Sequence, residues 1–600
     1  MILMFEDELL QKVEKPARYT GAEHNVVIKD PSAVDLRLAL CYPDLYEVGM
    51  CHVGLQILQH IANLRDDTFC ERVFYPQQDA VDLLRSEGIA LGTLETGDPL
   101  SCFDVLGVTL QHELTYTTVL SVLELGGIPL LAAERGDDHP LVLGGGPCVC
   151  NPEPVAPFFD AFVIGDGEEA LREVLDAVKS SRKGGREAIL DAVAAVDGVY
   201  VPARHDPATC EIRKRVVQNL DAAEYPTRPL VPWIEVIHDR GQVEVARGCT
   251  HGCRFCQAGF TYRPVRERAP GTLLKQAREI IASTGYDELS LVSLNCPDYT
   301  GIHPLIDDLL ADLSPQGVSI GLPSLRIDTF SVELARKVQA VRKSGFTFAP
   351  EAGSQRLRDV INKGVTEQDL LDTVAAAFEA GWNTIKLYFM IGLPTETDED
   401  VLAIAGLVRE VAKIGRQTMG KRAGRMKINV SVSNLVPKPH TPLQWDGQIS
   451  VEEMRRRQGL LEAAIRDHQV RLACHDARMS CLEAALARGD RDTSAAILEA
   501  YRGGAVLDAW SDRFDFSIWM RSFEACGMDL QERAMRQFAP DERLPWDHIA
   551  AGADKGFLLC ERERGLGGEL TPDCRQAGCH GCGVNEWADC PLVCGVRSGE

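Results

Sequence analysis

Short apolar runs alternate with amphipathic stretches twice along this chain, over residues 36–200 and again over 234–445. That alternation constrains the fold more than any other feature. Parallel strands need a crossover between them, so strand–helix alternation implies parallel sheets covered by helices. In the first region the candidate strands are Leu36–Tyr42, Phe103–Leu110, Pro140–Gly146 and Ala161–Gly165, with helical spacing over Leu55–Leu64 and Leu114–Leu125. In the second they are Val243–Arg247, Leu289–Ser293, Val318–Gly321, Phe346–Ala349, Thr384–Ile391 and Ile428–Ser433. The helices expected between these are Thr272–Thr284, Val332–Lys343, Glu367–Ala380 and Asp398–Ile414, each with i, i+3, i+4 apolar spacing.

The expected fold class is α/β in three units. Residues 1–205 form an N-terminal arm and a Rossmann-like doubly wound sheet, and 206–233, rich in Pro and charge, form a linker. Residues 234–447 give six βα units, a partial (β/α)6 TIM-like barrel. Strand signals fade beyond 450, so 448–565 reads as a mainly helical C-terminal domain and 566–600 as a Cys-rich tail. His475 and Asp476 fall in the helical stretch and read as structural.

Acidic residues outnumber basic ones by 88 to 63, a net charge of −25, which argues against bulk binding to nucleic acid or anionic membranes. The one basic segment, Lys413–Lys427, reads first as a solvated helix end and second as a contact for RNA phosphate. No basic leader and no run of about 18 apolar residues is visible, so a cytoplasmic protein without a membrane span is expected. The chain holds 20 Cys. In a reducing compartment, clustered thiols suggest metal rather than disulfides.

The chemistry-bearing motif is Arg247-Gly-Cys249-Thr-His-Gly-Cys253-Arg-Phe-Cys256. Its C-x3-C-x2-C spacing follows the first barrel strand, on the loop side where barrel active sites are built. Three thiolates can hold a [4Fe–4S] cube and leave one iron open to chelate a small molecule. Gly248 and Gly252 let the backbone approach inorganic sulfide, and Arg247 and Arg254 are expected to offset negative charge. Zinc with His251 as fourth ligand is the alternative. In the tail, Cys574, Cys579, Cys582 and Cys590 form a candidate second metal site for zinc or an auxiliary iron–sulfur cluster, with His580 as another possible ligand and Cys594 close by.

The cysteine loop, with Phe255 before its last Cys, resembles the radical SAM superfamily. Further stretches narrow the resemblance: Lys15-Pro-Ala-Arg-Tyr19, Tyr42-Pro-Asp-Leu-Tyr-Glu-Val-Gly-Met50, Cys256-Gln-Ala-Gly259, Pro323–Asp328, Ala349-Pro-Glu-Ala-Gly353, Ile361-Asn-Lys-Gly364 and Lys386–Glu396. Together they are similar to an uncharacterised family of radical SAM proteins with an N-terminal cobalamin-binding-like domain.

The resemblance implies reductive cleavage of S-adenosylmethionine at a [4Fe–4S] cluster, starting radical chemistry on an unknown substrate, with RNA or protein both open. It implies a one-electron reductant such as flavodoxin or ferredoxin, and cobalamin-dependent methylation or modification as one version. It also implies S-adenosylmethionine contacts from Phe255, Ser293, Arg326, Glu351, Ser354, Gly392 and Leu393. Cobalamin would meet Tyr46, Glu47, Val48, Gly49 and Met50 after one strand and Gly144, Gly145 and Gly146 after another. No D-x-H-x-x-G motif supplies an axial His. Many superfamily members carry Gly-Gly-Glu after the second strand. Here Ser293–Tyr299 stands instead, with Asp298 as a possible substitute. Lys386 reads as a buried ion-pair partner or a contact. A non-turnover iron–sulfur or cobalamin sensor is the alternative function.

Overall fold

The computed structural model describes residues 5, 7–322, 327, 337 and 346–590. The N-terminal unit is a six-stranded sheet. Its strands are β1 (Leu36–Tyr42), β2 (Thr68–Phe74), β3 (Val105–Thr109), β4 (Leu141–Gly145), β5 (Ala161–Val163) and β6 (Val199–Tyr200), in the order β2-β1-β3-β4-β5-β6. All pairs are parallel except β5–β6. The sequence reading missed β2, whose TFCERVF run puts two charges mid-strand. Both are buried and paired: Glu71 with Arg37 at 2.5 Å, and Arg72 with Glu23 and Glu95 at 2.6 Å each. A strand can hold charges inside the protein when each finds its counter-ion, so hydropathy alone does not reveal it.

Helices Val53–Asn63 and Gly167–Ser181 pack an apolar face on one side of this sheet. On the other side Tyr116–Leu125 shares a core with the C-terminal helices Ala477–Ala487, Thr493–Arg502 and Phe516–Ala525. Asp508 fixes that contact by accepting from Thr117 at 2.6 Å and from the Trp519 indole at 3.0 Å. The helical unit is therefore half of the N-terminal sheet's cover.

The second unit has two parallel ladders. One joins β7 (Gly241–Glu244), β8 (Glu288–Val292) and β9 (Ser319–Gly321). The other joins β10 (Phe346–Glu351), β11 (Thr384–Ile391), β12 (Lys427–Asn434) and β13 (Val470–Cys474) in sequence order. This arrangement is consistent with a partial TIM-like barrel, but with seven described parallel strands rather than six. The seventh lies where only helix was expected. Its VRLAC run is half-exposed, because its outer neighbour is solvent, so its apolar signal is weak.

On β11 the buried Ile385, Leu387, Phe389 and Ile391 face helices Glu367–Glu379 and Asp398–Met419. Lys386 and Tyr388 alternate with them and are exposed. Lys386 is thus not a buried ion-pair partner. The linker 206–233 is tied down: Ile212–Arg213 pairs in parallel with Ile549–Ala550. Apart from Lys337, the helix expected over 332–343 lies outside the described residues, as does Arg326. Among the described residues no helix is long and apolar enough to cross a membrane.

The two sheets meet through Asp166, at the turn after β5. Its carboxylate pairs with Arg247 at 2.9 Å and Arg266 at 2.5 Å and accepts from the Val217 N–H at 2.9 Å. Burial favours the neutral acid, but the two guanidiniums outweigh it and hold Asp166 well below the usual carboxylate range. Asp166→Asn leaves two guanidiniums without their shared anion. A loss of about 3–5 kcal/mol is expected from breaking a buried pair. Guanidinium denaturation followed by circular dichroism checks this, and an unchanged midpoint would contradict the interface role.

Candidate functional site

The cysteine loop leaves the barrel immediately after β7, by way of the short strand Ala246–Arg247. Gly248 has φ of +98°, and a Cβ there would stand 2.6 Å from the Pro264 carbonyl oxygen, so the turn into Cys249 requires glycine. Cys253 is buried, and Cys249 and Cys256 are half-buried. Burial pushes the Cys256 thiol up to about 12, and Cys253 and Cys249 are near enough to add to it.

Two readings raised by the sequence are altered by this geometry. The basic residues are engaged by protein carboxylates, although Arg254 also lies close enough to Cys253 to feel its charge. Arg247 is spent on Asp166, on Glu168 at 2.8 Å and on Glu244 at 2.9 Å. Arg254 is fully buried and donates to the carbonyls of Asp359 and Val360 at 3.0 Å and of Glu569 at 2.8 Å, and it pairs with Glu561 at 3.3 Å. His251 is also committed, with Nε2 at 2.7 Å from Asp298 and Nδ1 at 3.6 Å from Asp573.

The donor set left is three thiolates. Among the described residues, the one set of His, Cys, Asp or Glu ligand atoms closing to within 4.8 Å is His112, Glu113 and Glu483. Its place is filled by the Lys438 ammonium, 2.7 Å from Glu113 and 2.9 Å from Glu483. Structural zinc takes four protein donors, whereas three thiolates suit a four-iron cube with one iron unligated by protein.

The ends of β10 and β11 stand beside this loop. Glu351 is a non-glycine residue at φ of +69°, on an irregularity in the β10–β11 register, and pairs with Lys363 at 3.2 Å. Left-handed backbone in such a residue costs about 1–3 kcal/mol and concentrates at functional positions. The helix cap is Ser354 rather than Glu351: the Ser354 hydroxyl accepts from Leu357 N–H at 3.2 Å and donates to Asp400 at 2.5 Å. Phe255 packs against the apolar cluster that includes Leu357, Met390 and Leu393. The Gly392 N–H donates to Glu396 at 2.6 Å, and Glu396 also pairs with Arg457. Burial nevertheless pushes Glu396 up to about 7. Asp298, a possible ligand-holding acid, is bound to His251 and to Arg575 at 3.0 Å.

Asn362 is a residue whose importance the sequence did not reveal. Its Nδ2 lies 3.0 Å from the His251 and Thr571 carbonyl oxygens and 3.2 Å from that of Gly252, and its Oδ1 accepts from Thr571 N–H at 2.9 Å. Its φ of +53° within Ile361-Asn-Lys-Gly364 is the only local sign, since Asn tolerates that conformation.

A cavity of about 450 Å³ opens between the strand ends of the two sheets. Gly144–Gly146 and Gly165–Glu168 line it from the N-terminal unit, and Ala246–Gly248 and Val292–Leu294 from the barrel. Ser293 is thus on its wall. At Gly144 a Cβ would stand 2.6 Å from Phe162, and at Gly146 2.8 Å from the Leu110 carbonyl, so the protein's own packing requires both glycines. At Gly145 a Cβ would meet nothing within 4 Å. That position is small with no protein neighbour to demand it.

The other half of the expected cradle is elsewhere. Tyr46 donates to Glu23 at 3.0 Å, Glu47 pairs with Arg18 at 2.6 Å, and a Cβ on Gly49 would strike Phe74 at 2.4 Å. Val48 packs on the apolar core, and Met50 is buried with Arg72 at 2.9 Å from its sulfur. None of Tyr46, Glu47, Val48, Gly49 and Met50 lines the cavity. That loop instead receives the N-terminal arm. His52, which the sequence did not single out, lines the cavity.

In the segment Lys413–Lys427, Lys413 pairs with Glu410 at 2.7 Å and Arg416 with Asp467. Lys421, Arg422, Arg425 and Lys427 are exposed at the helix end and the start of β12, while Met419 and Met426 turn into the core. Asp476 caps Ala477–Ala487, and His475 lies 3.1 Å from Ser480, both structural roles.

The N-terminal sheet thus leaves ligand-sized space at its strand ends, beside a barrel loop that bears three thiols. Residues 54–202 match the family described as radical SAM proteins, N-terminal, and 243–408 match the radical SAM superfamily. The chain is a radical SAM protein. An uncharacterised protein of Methanocaldococcus jannaschii is 27% identical over 500 residues, 80% of this chain and 97% of that one. An uncharacterised methyltransferase of Pyrococcus horikoshii is 25% identical over 309 residues, 50% of this chain and 62% of that one. Among solved structures, the radical S-adenosylmethionine methyltransferase TsrM of Kitasatospora setae, with cobalamin and a [4Fe–4S] cluster bound, is 13% identical. It covers 70% of this chain and 75% of its own, with a TM-score of 0.48.

Asn362→Gly keeps the backbone conformation and removes the amide that joins loop to tail. A loss of about 1–3 kcal/mol is expected from the hydrogen bonds removed. Iron bound at the loop should then leave faster to a chelator. Melting and chelation rates equal to wild type would show that the amide is not a clamp.

Proposed function

We propose that this protein is an enzyme that cleaves S-adenosylmethionine reductively at a [4Fe–4S] cluster held by Cys249, Cys253 and Cys256, and that it uses cobalamin in methylating or otherwise modifying its substrate. The observation that carries this is the shared cavity. One space of about 450 Å³ touches the strand ends of both sheets and reaches Gly248, which adjoins Cys249. Two cofactors bound at those two sets of strand ends would meet. The methyltransferase name of the Pyrococcus relative supports a methyl-transfer version.

A cube with one open iron, when bound, supplies one-electron cleavage of S-adenosylmethionine to methionine and a 5′-deoxyadenosyl radical, and cobalamin supplies methyl-carrier or radical-partner chemistry. The chain's own residues bind, orient and exclude water. Phe255 backs the cluster loop with apolar surface, and the turn Gly392-Leu393, fixed by Glu396, borders the adenosyl side. Glu351 and Ser293 offer polar atoms to the ligand. Ser354 supports them by capping the adjoining helix. The electron comes from a small one-electron donor, and the substrate is RNA, protein or a smaller molecule.

His52 bears on how cobalamin would sit. Its Nδ1 accepts from the Leu55 N–H at 3.1 Å, and burial holds the imidazole down to about 4, with a Gln111 hydrogen bond opposing. The neutral ring then carries its proton on Nε2 and keeps no lone pair for cobalt. His52 would therefore line the site as a neutral hydrogen-bonding ring rather than as a metal ligand.

Anaerobic protein with dithionite and S-adenosylmethionine should release 5′-deoxyadenosine or S-adenosylhomocysteine, and Cys253→Ala should release neither. An intact cluster with no product from wild type would favour a non-turnover sensor. Separately, Gly145→Leu should abolish the visible absorbance of bound cobalamin while leaving loop iron unchanged. Equal cobalamin uptake by that variant would show that the cavity is not its site.

A further inference from the structure

We infer that Cys574, Cys579, Cys582 and Cys590 hold a second iron–sulfur cluster, ligated wholly by protein and seated against the first cluster's loop. Neither this site nor the activity proposed above requires the other. The four side chains line one small cavity of about 40 Å³. Its facing wall includes Thr250 and Arg263, and Thr250 follows Cys249 directly.

The segment is anchored independently of any metal. Arg575 pairs with Asp573 at 2.9 Å and Asp298 at 3.0 Å, Thr571 is bonded to Asn362, and the Cys582 carbonyl accepts from the Asp554 N–H at 3.0 Å. Val584, just beyond Cys582, is fully buried. The cavity is therefore a fixed feature between two tied segments.

Within it, Cys579 and Cys582 lie on a C-x2-C turn whose Gly581 N–H donates to the Cys579 sulfur at 3.4 Å. A backbone N–H aimed at sulfur favours the thiolate, and such bonds tune cluster sulfurs. His580 lies in the same lining, with Nε2 2.9 Å from the Pro572 carbonyl, and the four cysteines are enough to ligate a cube without it.

Four thiols can also hold zinc; their place against the first cluster's loop is what favours iron here. Four thiolates match the four irons of a cube. No iron is left open, so this cluster does not chelate S-adenosylmethionine or substrate. Cys594 lies outside the described residues and is not needed for the count.

The test uses the full chain, reconstituted anaerobically with iron and sulfide and assayed for metals, sulfide and visible absorbance. Two cubes predict about eight irons in wild type and about four in Cys579→Ser/Cys582→Ser, which should still form 5′-deoxyadenosine. The variant Cys249→Ala/Cys253→Ala/Cys256→Ala should keep about four irons with cluster absorbance, independently of any fold loss in the tail variant. Wild type with one zinc and about four irons would overturn the inference. So would iron in the tail variant equal to wild type, or loss of all iron from the loop variant.

Discussion

Two guanidiniums, the half-buried Arg247 and the fully buried Arg254, hold the cysteine loop, and the site depends on both. Arg247 reaches back to Asp166 and Glu168 of the N-terminal sheet. Arg254 reaches forward to Glu561 and the backbone near Thr571. Each desolvated cation needs its carboxylate, so the pairs fix geometry more than they add net stability. The loop keeps its three thiols in place because its ends cannot drift.

That clamp explains why the units are interdependent. The C-terminal helices cover one face of the first sheet, and the tail closes on the loop through Asn362 and Arg575. The cavity lies at the seam. Its glycines divide by physical cause: Gly144 and Gly146 are demanded by protein packing, and Gly145 is small with nothing of the protein's own to accommodate.

Much of this was legible in the sequence. β1 and β11 run exactly as their apolar runs indicate, since both are flanked by covered neighbours. The strand carrying Glu71 and Arg72 was not, because counter-ions from distant segments replace hydropathy as its stabiliser. β13 was not, because one side of it faces water. At the site, the thiols followed from spacing. The role of Arg247 and Arg254 did not, since charge beside a metal motif does not say which partner wins. Nor did the placement of Tyr46–Met50, whose glycine serves a ring contact with Phe74. Asn362 acts through hydrogen bonds between segments far apart in the chain, which no local pattern records, and His52 meets the cavity only because two sheets enclose it.

The central claim is that the clamped loop presents a cube with one iron open to S-adenosylmethionine. Electron paramagnetic resonance of the dithionite-reduced wild-type protein, recorded with and without S-adenosylmethionine, tests it most directly. The signal should change shape and position when the molecule is added, because its amino and carboxylate groups become ligands of that iron. Superimposable spectra from an intact, reduced cluster would contradict the account.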